Sequence, residues 1–326
     1  MHPALSVLLL TTLIGAGQGL FLALYTGQVY SVFEVLPAQD PARCYALGSV
    51  LALVLLALGL LSSFFHLGRP ERAWRAAACW RTSWLSREVI VLPALMGAVL
   101  AWGLAHYSGW NPLLFTVRGV FDIDLSMVVG AVATLLAFAL YLCTGMIYAC
   151  IRQLQEWATP LTVVNYTLFG LASGFMLAAA FASWRGSALV AFYGGWAIAT
   201  TVVVFFARAA SLLRNARLRP KSTLQTAIGV RHPVIRQISQ GFTAGSFNTR
   251  EFFHGQAVSL VRSVKWLFLL FAFAIPAALL AWHFASGSAA LLAAAIVAQM
   301  GGLMAERWFF FAEANHPQNL YYQAVA

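Results

Sequence analysis

Residues 44–66 read CYALGSVLALVLLALGLLSSFFH, residues 67–88 read LGRPERAWRAAACWRTSWLSRE, and residues 89–106 read VIVLPALMGAVLAWGLAH. The two outer stretches carry no Asp, Glu, Lys or Arg, and each is long enough to cross the hydrocarbon of a bilayer as a helix, which takes roughly 17–25 residues. The middle stretch holds five arginines, Arg69, Arg72, Arg75, Arg81 and Arg87, in a segment too short to be a domain. Two apolar spans joined by a short basic loop are the repeating unit of a polytopic membrane protein, and the rest of the chain continues that pattern.

Working outward, apolar runs place spans near 6–33, 44–65, 89–106, 125–148, 161–183, 187–207, 266–284 and 289–311. Up to position 305 none of these cores contains a charged residue; Glu306 and Arg307 fall in the last turns of the eighth. The composition agrees: 61% of the 326 residues are hydrophobic and only 9% charged, where soluble domains carry about 25%. The mean hydropathy is +0.78. The expected fold is all-α, one integral membrane domain over 1–326 with eight transmembrane helices. The first span is long and lacks a basic leader, so it is not expected to be a removable signal.

Charge gives the orientation. The loop 66–88, the loop 149–160 and the segment 208–265 together hold sixteen Lys or Arg, against Arg43, Arg118 and Arg185 on the other side. The positive-inside rule then puts both termini and the basic loops in the cytoplasm of a bacterial inner membrane. A basic face also suits docking of an acidic partner. Nothing in the pattern points to nucleic acid. Cys44, Cys79, Cys143 and Cys150 are scattered without a Cys-x-x-Cys, so no metal site and no iron–sulfur cluster is expected in this chain.

The two large basic segments fall at equivalent places if the chain is two four-helix halves, about 1–163 and 164–326. Gly68-Arg69-Pro70 precedes Arg87-Glu88 at the same spacing that separates Arg231-His232-Pro233 from Arg250-Glu251, an offset of 163 residues. Within the first loop, Pro70 and Glu71 suit a helix start. Trp74, Trp80 and Trp84 suit the headgroup level, so a short interfacial helix is expected there.

His66 ends one span and Glu88 begins the next, so the short loop brings them toward one depth. A quinol must lose two protons and two electrons, and a histidine with a carboxylate are suitable acceptors; Arg69 and Arg72 suit a quinone carbonyl or tuning of Glu88. The bland readings stand beside this. Ser86 with Arg87 and Glu88 also looks like a helix cap with an acid in the first turn, and a histidine at a span end is often only interfacial. In the first span, Gly15, Gly17 and Gly19 favour close helix packing, while Gln18 and Gln28 need partners or border a ligand cavity; Gln18 lies toward the basic side. His106 and His283 are the one pair suited to haem, yet both sit at span ends, so no haem is expected. A solute transporter of the inner membrane is the rival class. Charge-free cores argue against it.

His66-Leu67-Gly68-Arg69-Pro70, Arg72-Ala73-Trp74-Arg75 and Thr82-Ser83-Trp84-Leu85-Ser86-Arg87-Glu88 together resemble the DmsC family, the membrane anchors of dimethyl sulfoxide reductase and related molybdoenzymes. His2-Pro3-Ala4, Thr11-Thr12, Gly15-Ala16-Gly17 and the run Asn248 to Gly255 resemble it too, so the likeness covers most of the chain. It implies an eight-helix anchor without haem that binds quinone, menaquinone or ubiquinone, near the docking face of a ferredoxin-like, four-cluster iron–sulfur subunit. Through that partner the anchor is wired to a molybdopterin catalytic subunit. The family's quinol-site histidine and glutamate match His66 and Glu88. Arg69, Arg72, Ser86 and Gln18 are the further residues expected at a quinone site. Arg75, Arg81, Arg231 and Arg250 are expected to face the iron–sulfur subunit. The SoeC type, which anchors cytoplasmic sulfite dehydrogenase, fits the length and the basic face; the direction of electron flow is not legible.

Overall fold

The computed structural model describes residues 4–117, 121–236, 238 and 258–321. Eight helices in it are long and apolar enough to cross a membrane: span 1 (Leu5–Val32), span 2 (Pro41–Phe64), span 3 (Trp84–Ser108), span 4 (Leu125–Ala149), span 5 (Pro160–Arg185), span 6 (Val190–Ala216), span 7 (Ser259–Ser286) and span 8 (Ala289–Ala312). Helix is the expected solution because hydrocarbon offers no partner to a backbone N–H or C=O, and a helix satisfies both within one segment. Beyond the bundle, a small antiparallel hairpin pairs β1 (Leu113–Val117) with β2 (Phe121–Asp124) on the charge-poor face. Its last residue, Asp124, caps span 4 by accepting from the Met127 N–H at 2.8 Å.

The bundle has a hub. In spans 1 and 5, 72% and 61% of the most apolar stretch is buried within the protein, against 28–39% in the six others. Glycine makes the hub possible. A Cβ on Gly174 would stand 1.9 Å from the carbonyl carbon of Gly19, and one on Gly19 would stand 1.9 Å from the Gly170 oxygen. Spans 1 and 5 thus cross backbone on backbone, the small-residue contact by which membrane helices gain dispersion without a hydrophobic drive. In the outer spans, side chains such as Leu58, Leu135, Phe206 and Val297 point outward to lipid.

Between Gln18 and Gln28, span 1 carries Leu20, Phe21, Leu22, Ala23 and Leu24, each at most 5% exposed. They pack with Leu56, Leu95, Val99, Leu140 and Met176 of spans 2 to 5 into one apolar layer. Polar groups collect on either side of it. At the charge-poor end, Gln28 accepts from the Trp102 indole at 2.8 Å and donates to Ser126; Gln18 faces the basic end.

Two expectations are corrected. Span 6 does not stop at residue 207 but continues to Ala216, and it carries Arg208 into the bundle with 2% exposure. The helix tolerates this cation because Glu306 of span 8 lies 2.9 Å away, so the cores are not free of charge. The cap of span 3 is Ser83, whose hydroxyl accepts from the Ser86 N–H at 3.3 Å. Ser86 is therefore inside the first turn and Glu88 lies in the second, too far along to cap. The expected helix after Pro70 is present as a 3-10 helix, Pro70–Cys79. Span 7 widens to a π-turn at Leu270–Ala274, one turn before Pro276, which has no N–H to give to the preceding turn.

Candidate functional site: a polar cavity under the basic face

Because Ser83 sets the helix start, Glu88 faces span 4 one and a half turns down, and there it accepts a hydrogen bond from the Thr144 hydroxyl. The two line a small cavity with Thr11, Gln18, Tyr166 and Arg307, drawn from spans 1, 5 and 8. Its volume is about 10 Å³, room for about one water. Gln18 lies thirteen residues into span 1, ~20 Å along its axis, and forms the deep end. Its Oε1 and the Thr12 hydroxyl are buried there without a hydrogen bond among the described residues, and the Tyr166 hydroxyl has Tyr148 as its side-chain neighbour. A carboxyl group, an amide and a guanidinium surround space for one water, a donor set with the chemistry to exchange a proton.

Beside it stands a group of charges that hydropathy alone does not show. Arg208 Nε is 2.9 Å from Glu306 Oε1, and Arg307 Nη1 is 3.3 Å from Glu306 Oε2. Arg208 Nη2 reaches Glu313 at 4.0 Å, and the Arg307 guanidinium lies 3.7 Å above the Tyr166 ring. The side chains of Arg208, Glu306 and Arg307 are 1–4% exposed. Glu313, just past span 8, keeps 19% of its side chain in contact with the outside. Burial pushes its carboxyl above the ordinary value, and the Arg208 charge opposes that. The sequence signal was the pair Glu306-Arg307 in an otherwise apolar span, with Arg208 98 residues away as its partner.

The expected site residues divide. Gln18 and Glu88 share the cavity. His66 does not line it; it is exposed at the end of span 2, with Nδ1 3.1 Å from the Ser6 hydroxyl at the start of span 1. Ser6 stands one turn above Leu10, which does line the cavity, so His66 marks the rim. Partial burial lowers the His66 pKa below its ordinary value. Arg69 is exposed, and Arg72 is exposed with a loose contact to Glu71 at 3.9 Å. Ser86 is buried in the first turn of span 3 and does not line the cavity.

Of the docking candidates, Arg75 and Arg81 are exposed and lie over Trp74 and Trp80 at 5.5 and 5.4 Å. Arg87 stacks on Trp84 at 4.1 Å and donates to the carbonyls of Trp80 and Arg81. The loop is thereby held as a firm platform of arginine on tryptophan. Arg231 is exposed; Arg250 and Glu251 lie outside the described residues. His106 and His283 occupy separate settings. His106 packs between Tyr45 and Trp102 at 4.9 Å, and His283 Nδ1 sits 2.9 Å from the Ser288 carbonyl. Among the described residues no group of three His, Cys, Asp or Glu is placed to hold a metal.

Two comparisons bear on what such a bundle does. The family described as DMSO reductase anchor subunit (DmsC) matches residues 1–322. A sulfite dehydrogenase subunit of Allochromatium vinosum is identical at 57% of positions over 326 residues, covering the whole of both chains.

Proposed function

The chain belongs to the DmsC family of DMSO reductase anchor subunits, and from that membership we propose that it carries electrons between membrane quinone and a sulfite dehydrogenase-type molybdoenzyme. The partners in this reading are an iron–sulfur subunit seated on the arginine-rich face and, beyond it, a molybdopterin catalytic subunit. The identity to a sulfite dehydrogenase subunit supports sulfite as the substrate of the complex. The bias of Lys and Arg supports a cytoplasmic location for that face.

The observation that carries the reading is Glu88 with Gln18 in a cavity at membrane depth, under the basic face and beside the rim marked by His66. Quinone chemistry moves two protons with two electrons, and two acceptors at one edge of the bundle match that need. The Glu88 cavity accommodates water and not a ring, since ligand pockets run to roughly 300 Å³ or more. The headgroup is therefore assigned to the rim, where His66, Arg69 and Arg72 offer an imidazole and two cations to its oxygens. His66 exchanges one proton; Glu88 exchanges the other from inside the bundle.

The test uses membranes carrying the assembled complex. Glu88→Gln and His66→Ala should each lower quinone-linked turnover by about 100-fold or more, the usual scale of a lost acid–base group. Electron transfer from the substrate to a soluble dye should stay at the level of the unaltered complex. Quinone-linked rates that survive both substitutions would refute the assignment.

A further inference from the structure

We propose that the buried cluster of Arg208, Glu306, Arg307, Glu156 and Glu313 is the proton route between the Glu88 cavity and the water on the basic face, with the Tyr166 hydroxyl as its relay. The proposal rests on the reading of Glu88 as a proton station and extends it outward.

A second cavity of about 10 Å³ lies next to the first, lined by Glu156, Asn165, Tyr166, Arg208, Glu306 and Arg307. Tyr166 and Arg307 line both cavities, so they form the wall between them. Each cavity has room for one water, and a buried water needs two to four polar partners. Both supply them. Thr12 and Gln18 line the first, Glu156, Asn165, Arg208 and Glu306 line the second, and Tyr166 lines both. Thr12 Oγ1, Gln18 Oε1, Glu156 Oε2 and Asn165 Oδ1 are buried without a hydrogen bond among the described residues, while Glu306 Oε2 keeps its ion pair with Arg307 and the Tyr166 hydroxyl has Tyr148 as its side-chain neighbour. A buried polar atom left without a hydrogen bond is costly, and water in both positions relieves that cost. The Tyr166 hydroxyl, which both donates and accepts, is the group through which the two waters connect.

The charges fit transfer better than they fit a clamp. One pair, Arg208 with Glu306, would suffice to tie span 6 to span 8. Instead three carboxyl groups face two guanidinium groups, so pairing neutralises two carboxyls and leaves one site free to take or give a proton. The outer members lie toward the end of the bundle. Glu156 lies in the loop between spans 4 and 5, and Glu313 ends the series with part of its side chain exposed. The order is Glu88, water, Tyr166, water, Glu306 with Glu156, then Glu313 and the bulk. For each quinol oxidised to quinone, two electrons pass to the iron–sulfur partner and two protons leave to water, the inner one by this route. Quinone reduction runs the same steps backward.

The decisive variant is Tyr166→Phe in the assembled complex, because it removes only the hydroxyl and keeps the ring under Arg307. Quinone-linked turnover should fall by about 10-fold or more. The fall should deepen in D₂O, and the pH profile should shift, while dye-linked activity and thermal stability hold. Glu306→Gln should fall similarly, with partial rescue by a small weak acid such as formate; if it fails to assemble, Tyr166→Phe decides alone. If Glu88→Gln abolishes quinone-linked turnover while Tyr166→Phe leaves the rate, the isotope effect and the pH profile unchanged, the route is overturned and the Glu88 station stands. If Glu88→Gln itself leaves the rate intact, both fall.

Discussion

Replacing Gly174 by alanine tests the hub from which every other placement follows. The new methyl carbon would sit 1.9 Å from the Gly19 carbonyl carbon and 2.3 Å from its Cα, whereas carbon atoms rest at about 3.5–4.0 Å. Spans 1 and 5 must therefore part by ~1.5–2 Å along their crossing, and no side chain can swing away, because the obstacle is backbone. Overpacking a core costs ~1–3 kcal/mol, and a backbone obstacle puts this site at the upper end. Alanine's better helix propensity returns at most ~1 kcal/mol, for a net loss of ~2 kcal/mol. The matched control is Gly97→Ala on the lipid-facing side of span 3, where a Cβ meets nothing within 4 Å. There the same chemical change should be neutral or stabilising. Thermal unfolding of the purified chain in detergent, followed by circular dichroism, should give a midpoint for Gly174→Ala lower by ~4–8 °C, taking about 2–4 °C per kcal/mol. Coincident melting of the two variants would refute the backbone crossing.

Two further outcomes follow from charges outside the spans. Glu313 has a carboxyl pKa raised by burial above its ordinary 4.5, so the folded state binds that proton more tightly than the unfolded one. Its contribution is complete below 4.5 and is lost as pH rises through the folded value. Glu313→Gln, with Arg208, Glu156 and Glu306 still facing it, should therefore gain on the parent in thermal midpoint between pH 5 and pH 8; a gap that narrows with pH would contradict this. Arg75→Glu with Arg81→Glu should weaken retention of the iron–sulfur subunit, most of all at low salt, since exposed charges are screened over about 8–10 Å at physiological ionic strength. Retention unchanged at every salt concentration would show that these arginines do not bind the partner.

The eight spans were legible because hydrocarbon imposes one rule on every residue in them, and a run such as 44–65 obeys it visibly. What escaped was pairing. Arg208 ends an apolar run by any local measure, and only its partner Glu306, on a helix two spans later, lets span 6 continue past it. Gln18 was readable as a polar group in need of a neighbour, but the neighbours, Glu88, Thr144 and Tyr166, come from three other helices and no local pattern names them. The short loop between His66 and Glu88 suggested that the two meet. Their partners come from elsewhere: His66 contacts Ser6 of span 1 and Glu88 accepts from Thr144 of span 4, and no local pattern names either. Ser86 misled for a simpler reason: two serines stand three residues apart, and only the geometry says which one caps.

The apolar layer around Leu20, Phe21 and Leu24 has an energetic consequence for the cell. A proton driven across a bilayer against its voltage costs about 2.3 kcal/mol per 100 mV, and Leu20 to Leu24 with Leu56, Leu95, Val99, Leu140 and Met176 put apolar side chains in the way. In the proposed reading both protons and both electrons of the quinone are exchanged at the basic face, so turnover would displace no net charge through the membrane. Such a reaction would be electroneutral, its direction set by the redox potentials of the quinone pool and the substrate, with the proton-motive force neither opposing it nor drawn upon.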